Sequence, residues 1–581
     1  MKKLYTPWGE QLDKACPLPE YPRPQLRRES YYNLNGLWAY TWQDQQGETL
    51  GEGEILVPFS PESLLSGCDF QLLPGQTLRY RRRFTLPEGF RRDRVLLHFG
   101  AVDQSCRVWV NHREAGGHEG GYLPFTLDIT ELLREGENLL EVAVQDAVDG
   151  GVHSYGKQRL RRGGIWYTAQ SGIWQTVWME SVPDNYITSL ELTPDLDGGR
   201  LCWRVHARQP QGAVVTVWKE GQLVTKNQAD EEGRGSTPIP RELLRTWSPE
   251  DPFLYDLTVE LPGGDRVESY FGMRKFSVME YRGRKVLALN NQPYFHHGVL
   301  DQGYWSDGLY TPPSDEAMIW DIQTMKDMGF NVLRKHIKIE PMRWYYHCDR
   351  LGVIVWQDMV SGGDNFRPLY TQVLPFAGFH VRDKASGRFG RGNPATCRQF
   401  LADAHETVRH LYNCVSLGLW VPFNEGWGQF DALEVCRRVR QLDGTRPIDH
   451  ASGWHDQGGG DLKSRHVYYH RAKLKNDGRR VLALTEFGGY SLPVPGHIST
   501  DRKFGYRVYQ DRERWMDAVE KLYEREVLPM VAQEGLSAAI YTQLSDVEDE
   551  INGLVTYDRR VVKAAPERMA AIARSLRQEG R

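Results

Sequence analysis

Short runs that alternate apolar and polar residues fill the first 183 positions. Arg79–Leu86, Arg94–Gly100, Ser105–Asn111, Asn138–Gln145 and Ile173–Glu180 follow a period of two, and turn sequences such as PEGF, NHRE and REGEN separate them. This spacing predicts a jelly-roll β-sandwich over 1–183. A second β-rich block over 184–278 carries runs at Tyr186–Leu192, Leu201–Arg208, Val214–Glu220, Tyr255–Leu261 and Arg266–Phe271. Its size fits an immunoglobulin-like sandwich.

From 279 to 581 the pattern changes. Apolar runs now alternate with helical periodicity. Eight strands are predicted: Tyr294–Val299, Asn331–His336, Val353–Asp358, Ser416–Asn424, Ile448–Ser452, His466–Tyr469, Val481–Glu486 and Ala538–Leu544. Ser314 caps a helix with Asp315 and Glu316 in its first turn, and Pro341 opens another that stops at Gly352. Further helices fit 394–412, 429–443, 509–533 and 564–577. Eight β/α units in roughly 300 residues predict a (β/α)8 TIM barrel, although a doubly wound sheet alternates in the same way. A long stretch without a clear element, 361–392, follows the third strand. Barrel active sites are built at that strand end, so an active-site wall is expected there.

Composition narrows the class. With 581 residues the chain exceeds one core and needs several. A net charge of −4 gives no reason to expect a nucleic-acid partner, and the basic cluster RLRRGG reads as a solvated loop. The 18 Trp and 28 Tyr suit both sugar stacking and sandwich cores. The eight cysteines are scattered without zinc spacing, so no metal and no cofactor is expected. No stretch approaches 18 apolar residues, so no membrane association is expected. The first twenty residues have no leader-like apolar run, and a cytoplasmic location is the expectation.

Two glutamates end strong apolar strands. GLWVPFNEGWG places Asn424 and Glu425 after the fourth strand, and VLALTEFGG places Glu486 at the end of the seventh. Barrel strands deliver such residues to one rim, where a carboxylate is costly to desolvate unless it is paired. Two carboxylates converging on a cavity suit glycoside hydrolysis. One, protonated, assists the leaving oxygen, and the other attacks the anomeric carbon from ~5–5.5 Å away in retaining enzymes. Mutual repulsion then keeps the acid protonated.

The chain resembles glycoside hydrolase family 2 over nearly its whole length. YPRPQLRRESYYNLNGLWAY, RVWVNHREAGGHEGGYLPFTLDIT, SGIWQTVWME and FGMRKF look like that family's two sandwich domains, while FNEGWGQFD, TEFGG and QLSDVEDEINGLVTYDR look like its barrel. The resemblance implies Glu425 as acid/base, Glu486 as nucleophile and Asn424 as the residue that bonds the sugar 2-hydroxyl. It also implies that Arg334 supports the nucleophile, a structural salt bridge being the other reading. His297 and Asp301 are expected to face the sugar, Trp454 to form an aromatic wall or pack in the core, and Tyr468 rather than Tyr469 to point inward. Three departures stand out. Asn413-Cys414-Val415-Ser416 replaces the usual Asn-His-Pro-Ser, His336 comes two residues after Arg334 rather than three, and EINGLVTYDRR has no lysine of the kind that grips a uronic acid.

The function expected is therefore a retaining exo-β-glycosidase for a terminal neutral sugar, a β-galactoside first. Other specificities (β-glucosidic, galactofuranosidic, arabinosidic, glucuronidic), transglycosylation, and a non-catalytic carbohydrate-binding protein are the alternatives. The resemblance also implies a homo-oligomer.

Overall fold

The structure, a computed structural model, describes residues 2–364, 366–502 and 504–580. Two antiparallel sheets make the first sandwich. In the six-stranded sheet Glu137–Gln145 pairs with Thr77–Thr85 on one side and Ser105–Val110 on the other. In the four-stranded sheet Val177–Val182 pairs with Tyr32–Asn33 and Arg94–Phe99. The period of two has its physical counterpart here: Leu140, Val142 and Val144 face inward and join Trp38, Tyr80, Val108 and Phe99 in one core. The second sandwich has sheets of three and four strands closing on Trp203, Val215, Val217, Leu257 and Phe271.

The hairpin Phe276–Tyr281 and Arg284–Leu289 leads into the barrel and caps its floor, with Phe276, Leu287 and Leu289 packed on Val332, Ile354 and Ile540. Seven strands then pair in one curled parallel sheet, in the order Leu417–Val421, Ile354–Asp358, Val332–Lys335, His296–Asp301, Ala538–Thr542, Val481–Gly488, Leu462–Val467. The predicted strand at Ile448–Ser452 does not form a ladder. Single bridges from Trp420 to Ile448 and from Asn424 to Ser452 hold it, and Ser464 Oγ donates to Asp449 Oδ1 at 2.8 Å across the remaining gap. Polar side chains thus close the barrel where regular pairing would have. The strand predicted at His466–Tyr469 starts earlier, because Leu462, Ser464 and His466 already alternate inward.

The helices follow their caps. Ser314 Oγ accepts from Ala317 N at 3.2 Å at the start of the Asp315–Asp327 helix, and Gly352, at φ 75°, ends Met342–Leu351 in the left-handed region. The helix expected over 509–533 is Arg512–Leu522 continued through a π turn, Tyr523–Val527, into Leu528–Glu534. Pro529 lies at that junction and has no N–H to donate to the preceding turn. The 361–392 stretch holds short turns at Leu369–Val373, Leu374–Phe376 and Ser386–Phe389.

Two contacts bear on the site. Asn413, from the departing Asn-Cys-Val-Ser segment, accepts from Leu192 N at 2.8 Å and donates to Leu190 O at 2.7 Å, tying the barrel to the second sandwich. Residues 154–168 of the first sandwich reach the barrel mouth. Tyr155 N donates to Ser361 O at 3.1 Å, Tyr155 Oη to Gly363 O at 2.7 Å, and Thr168 N to Glu548 Oε1 at 2.9 Å. Among the described residues no helix is long and apolar enough to cross a membrane.

Candidate active site

The chain leaves the Leu417–Val421 strand and turns sharply. Glu425 adopts φ 51° and Gly426 φ 73°. A non-glycine residue in the left-handed region costs on the order of 1–3 kcal/mol, and such strain persists only where surroundings enforce it. Glu425 N donates to Ser452 O at 3.0 Å, which fixes the turn. Glu486 reaches the same cavity by another device. Leu482 and Leu484 of its strand face the outer helices, so strict alternation would send Glu486 outward with them. The register shifts between Leu484 and Phe487, and a second shift lies against the neighbouring strand at Arg465/His466. After the shift Phe487 takes the outward position, and Glu486 turns in.

One oxygen of each carboxylate and a ring nitrogen of His466 lie within 4.8 Å of one another. Arg334 organises the floor. Its Nη1 donates to Glu486 Oε1 at 3.1 Å and to Thr485 O at 3.0 Å, and its Nη2 donates to Asn424 Oδ1 at 2.8 Å. Nε and Nη2 together hold Asp358 in a fork, at 3.0 and 3.1 Å. His336 Nδ1 lies 2.7 Å from Asp358 Oδ2, so its displaced position still serves this network. Tyr468 Oη donates to Glu486 Oε2 at 2.6 Å, while Tyr469 is 52 % exposed. The Asn424 Nδ2 donor is buried and has no partner among the described residues.

His466 lies between the two glutamates, and sequence reading had given it no role. Its Nδ1 is 2.8 Å from Glu425 Oε1 and 3.4 Å from Glu486 Oε2. Arg334 Nη1, which can only donate, approaches Nε2 at 3.4 Å. The proton therefore belongs on Nδ1, an assignment made from the network. Burial pushes the imidazole down to about 4, so the ring is neutral near pH 7. Burial raises the Glu425 carboxyl, against the opposing Lys157 ammonium and the Trp427 indole, whose Nε1 donates to Glu425 Oε2 at 3.4 Å. Glu425, His466 and Glu486 also have the spacing of a metal site. However, Arg334 already supplies positive charge there, and the protonated Nδ1 offers no lone pair to a cation.

Aromatic rings wall the cavity. Trp454 packs on Phe376 at 5.3 Å and on His466 at 6.4 Å between centroids. Trp427 meets Phe366 at 5.0 Å and Trp166 at 5.1 Å. Phe366 and Phe376 bring the 361–392 stretch onto this wall, and Trp166 comes from the first sandwich.

The structure corrects two expected contacts. His297 and Asp301 do not face the cavity. In the His296–Asp301 strand, Leu300 points into the barrel with Val332 and Ile354, whereas Val299 packs on the outer helices. His297 and Asp301 share the parity of Val299. His297 lies against Phe330 at 4.4 Å with Nε2 3.0 Å from Tyr523 Oη, and Asp301 accepts from Lys335 Nζ at 2.7 Å.

Three family models match in succession. They are the sugar binding domain of glycosyl hydrolases family 2 over 73–183, the family 2 model over 185–274, and the family 2 TIM barrel domain over 282–569. A β-galactosidase of Streptococcus thermophilus is 26% identical over 390 residues, 64% of this chain and 35% of that protein. A putative β-glucuronidase of Formosa agariphila is 28% identical over 282 residues, 45% of this chain and 32% of that one. The chain thus spans about a third of the length of these curated relatives. Among solved structures, a β-D-glucuronidase of Dictyoglomus thermophilum superposes with TM-score 0.74 at 17% identity, covering 96% of this chain and 98% of that one. A β-galacturonidase of Eisenbergiella tayi gives TM-score 0.70 at 20% identity, with the same coverage. These two likenesses are of fold.

Proposed function

The chain belongs to glycosyl hydrolases family 2, and from that premise we propose that it is a retaining exo-β-glycosidase acting on a terminal neutral sugar, a β-galactoside first. The observation that carries this reading is that oxygens of Glu425 and Glu486 lie within 4.8 Å of each other, which suits the ~5–5.5 Å carboxyl separation of double displacement better than the ~6.5–9.5 Å of inversion. Glu486 attacks the anomeric carbon. Arg334 and Tyr468 each bond one of its two oxygens and so aim them. Glu425, raised by burial, gives its proton to the leaving oxygen and then takes one from water. His466 donates to Glu425 and fixes its orientation. The unpartnered Asn424 Nδ2 suits the sugar 2-hydroxyl, a contact that strengthens at the oxocarbenium-like transition state.

The exo reading rests on the walls. Residues 154–168 pack on Ser361 and Gly363, with Trp166 stacked on Phe366 at 6.2 Å, and Phe376 packs on Trp454, a wall beside the glutamates that suits a chain end better than an internal sugar. Relatives named β-galactosidase support the sugar proposed, while those named β-glucuronidase keep a uronide as the second reading. A panel of nitrophenyl glycosides, neutral and uronic, pyranose and furanose, decides between them. An NMR time course following the first-formed anomer tests the mechanism, and an inverted product would refute it.

A further inference from the structure

Two charged groups face the same mouth and take no part in the reaction described above. Lys157, from the first sandwich, is buried, with its ammonium 5.6 Å from the centroid of the Trp166 ring. Among the described residues it has no ion-pair partner. Trp166 abuts Trp427, which bonds Glu425, and the Lys157 ammonium is among the charges that act on Glu425. Glu550 follows the last barrel strand and is also buried. Tyr167 Oη bonds its Oε2, and Asn552 Nδ2 lies 3.5 Å from its Oε1. Tyr167 is the neighbour of Trp166, and Tyr167 N donates to Lys157 O at 3.0 Å, so one short segment brings cation and carboxylate to the same side. The two groups are not in ion-pair contact with each other. The Lys157 ammonium opposes the burial that raises Glu550.

A buried cation without an ion-pair partner among the described residues and a buried carboxylate, brought together by one short segment, offer a donor and an acceptor that sugar hydroxyls can use. We propose that Lys157 and Glu550 grip the sugar at the end away from the 2-hydroxyl, one hydroxyl accepting from Lys157 and another donating to Glu550, and that this pair selects a neutral sugar over a uronic acid. The inference rests on the reading of Glu425 and Glu486 as the reacting pair. Charge counting favours hydroxyls over an acidic group. Glu425, Glu486, Glu550 and Asp358 stand against Arg334 and Lys157, while His466 is neutral. Carboxyl groups outnumber cations there, and Arg334 is fully engaged. A sugar carboxylate would add repulsion and compete with Glu550 for Lys157. RLRRGG, just beyond Lys157, is bound in part by acids of its own, since Arg162 pairs with Glu548 and Asp549 at 3.3 Å.

The test uses the full chain with Lys157→Met, Lys157→Arg and Glu550→Gln. Substrates are nitrophenyl glycosides of neutral sugars, their 3-, 4- and 6-deoxy analogues, and the matching uronides. Lys157→Met and Glu550→Gln should each lower kcat/KM on the best neutral glycoside by about 10–10²-fold, the worth of a hydrogen bond to a charged group. Lys157→Arg should recover part of the loss. The Glu550→Gln loss should shrink to a few-fold on the analogue lacking the hydroxyl that Glu550 holds. Lys157→Met should also move the alkaline limb of kcat/KM to higher pH, because the ammonium that favours ionised Glu425 is gone. Variants within twofold of the parent with an unmoved limb overturn the proposal. So does a parent that takes no neutral glycoside, or one that prefers uronides and loses that preference in Lys157→Met. Glu486→Ala, assayed alongside, tests the reacting pair separately. Residual turnover there would refute the chemistry however the other variants behave.

Discussion

Replacing Arg334 by Met should both destabilise the protein and silence it, and the two losses can be separated. The guanidinium is fully buried and serves Asp358, Glu486, Asn424 and Thr485 at once. Removing one partner of a buried pair costs about 3–5 kcal/mol, because the charge left behind is unpaired. The expected loss in urea unfolding at pH 7.5 is of that size. Asp358 is already raised by burial, with Arg334 pulling it down. Without Arg334 it rises further, so the folded variant holds a proton that the unfolded chain releases. A group whose folded pKa is raised contributes stability at low pH and loses it as pH rises. The deficit should therefore be smaller at pH 5 than at pH 7.5. Adding Asp358→Asn in the Met background should recover part of the stability without restoring turnover, since Glu486 still lacks its guanidinium. A loss under about 1 kcal/mol in the single variant, or no recovery in the double, would refute the argument that this network is a coupled buried pair.

Glu425→Ala should slow turnover about 10²–10⁴-fold, less for a good leaving group, with azide restoring rate on activated substrates. Tyr468→Phe removes one hydrogen bond to Glu486 Oε2 and should cost about 10–10²-fold in kcat/KM, with the fold unchanged by circular dichroism. His297 is depressed by burial from 6.5 to about 3. A depressed histidine contributes stability that is full above its unfolded pKa and is lost as pH falls toward the folded value. His297→Gln should thus lose about 2 kcal/mol less than the parent between pH 7 and pH 5 in urea melts, and keep its kcat/KM. A tenfold fall would return His297 to the sugar side.

Much of the architecture is legible in local pattern. Period-two runs mark both sandwiches, and strand–helix alternation with Ser314 and Gly352 as punctuation marks the barrel. Asn424 and Glu425 are readable because a turn of NEGWG type must follow an apolar strand. Parity reading fails where the ladder is irregular. Alternation misplaces Glu486 because a register shift, written in no residue type, turns it inward. The same rule correctly applied puts His297 outside with Val299, and the expectation erred in turning His297 and Asp301, which share that parity, toward the sugar. Lys157, Trp166 and Tyr167 were unreadable for another reason. They lie more than 250 residues before Glu425 in sequence, and only tertiary docking makes them neighbours. His466 resembles a satisfied core histidine until Glu425 and Glu486 are both in place.

The reach of residues 154–168 over the barrel mouth divides labour between folds. The two carboxylates proposed to react belong to barrel strand ends, where any displacement disturbs the whole sheet. The side chains proposed to sort sugars belong partly to a loop of another domain, anchored at Ser361, Gly363 and Glu548. Such a loop can change its composition without rebuilding a single barrel strand. Preference can then drift while chemistry stands still, and grafting this segment from one relative to another becomes a direct way to move specificity.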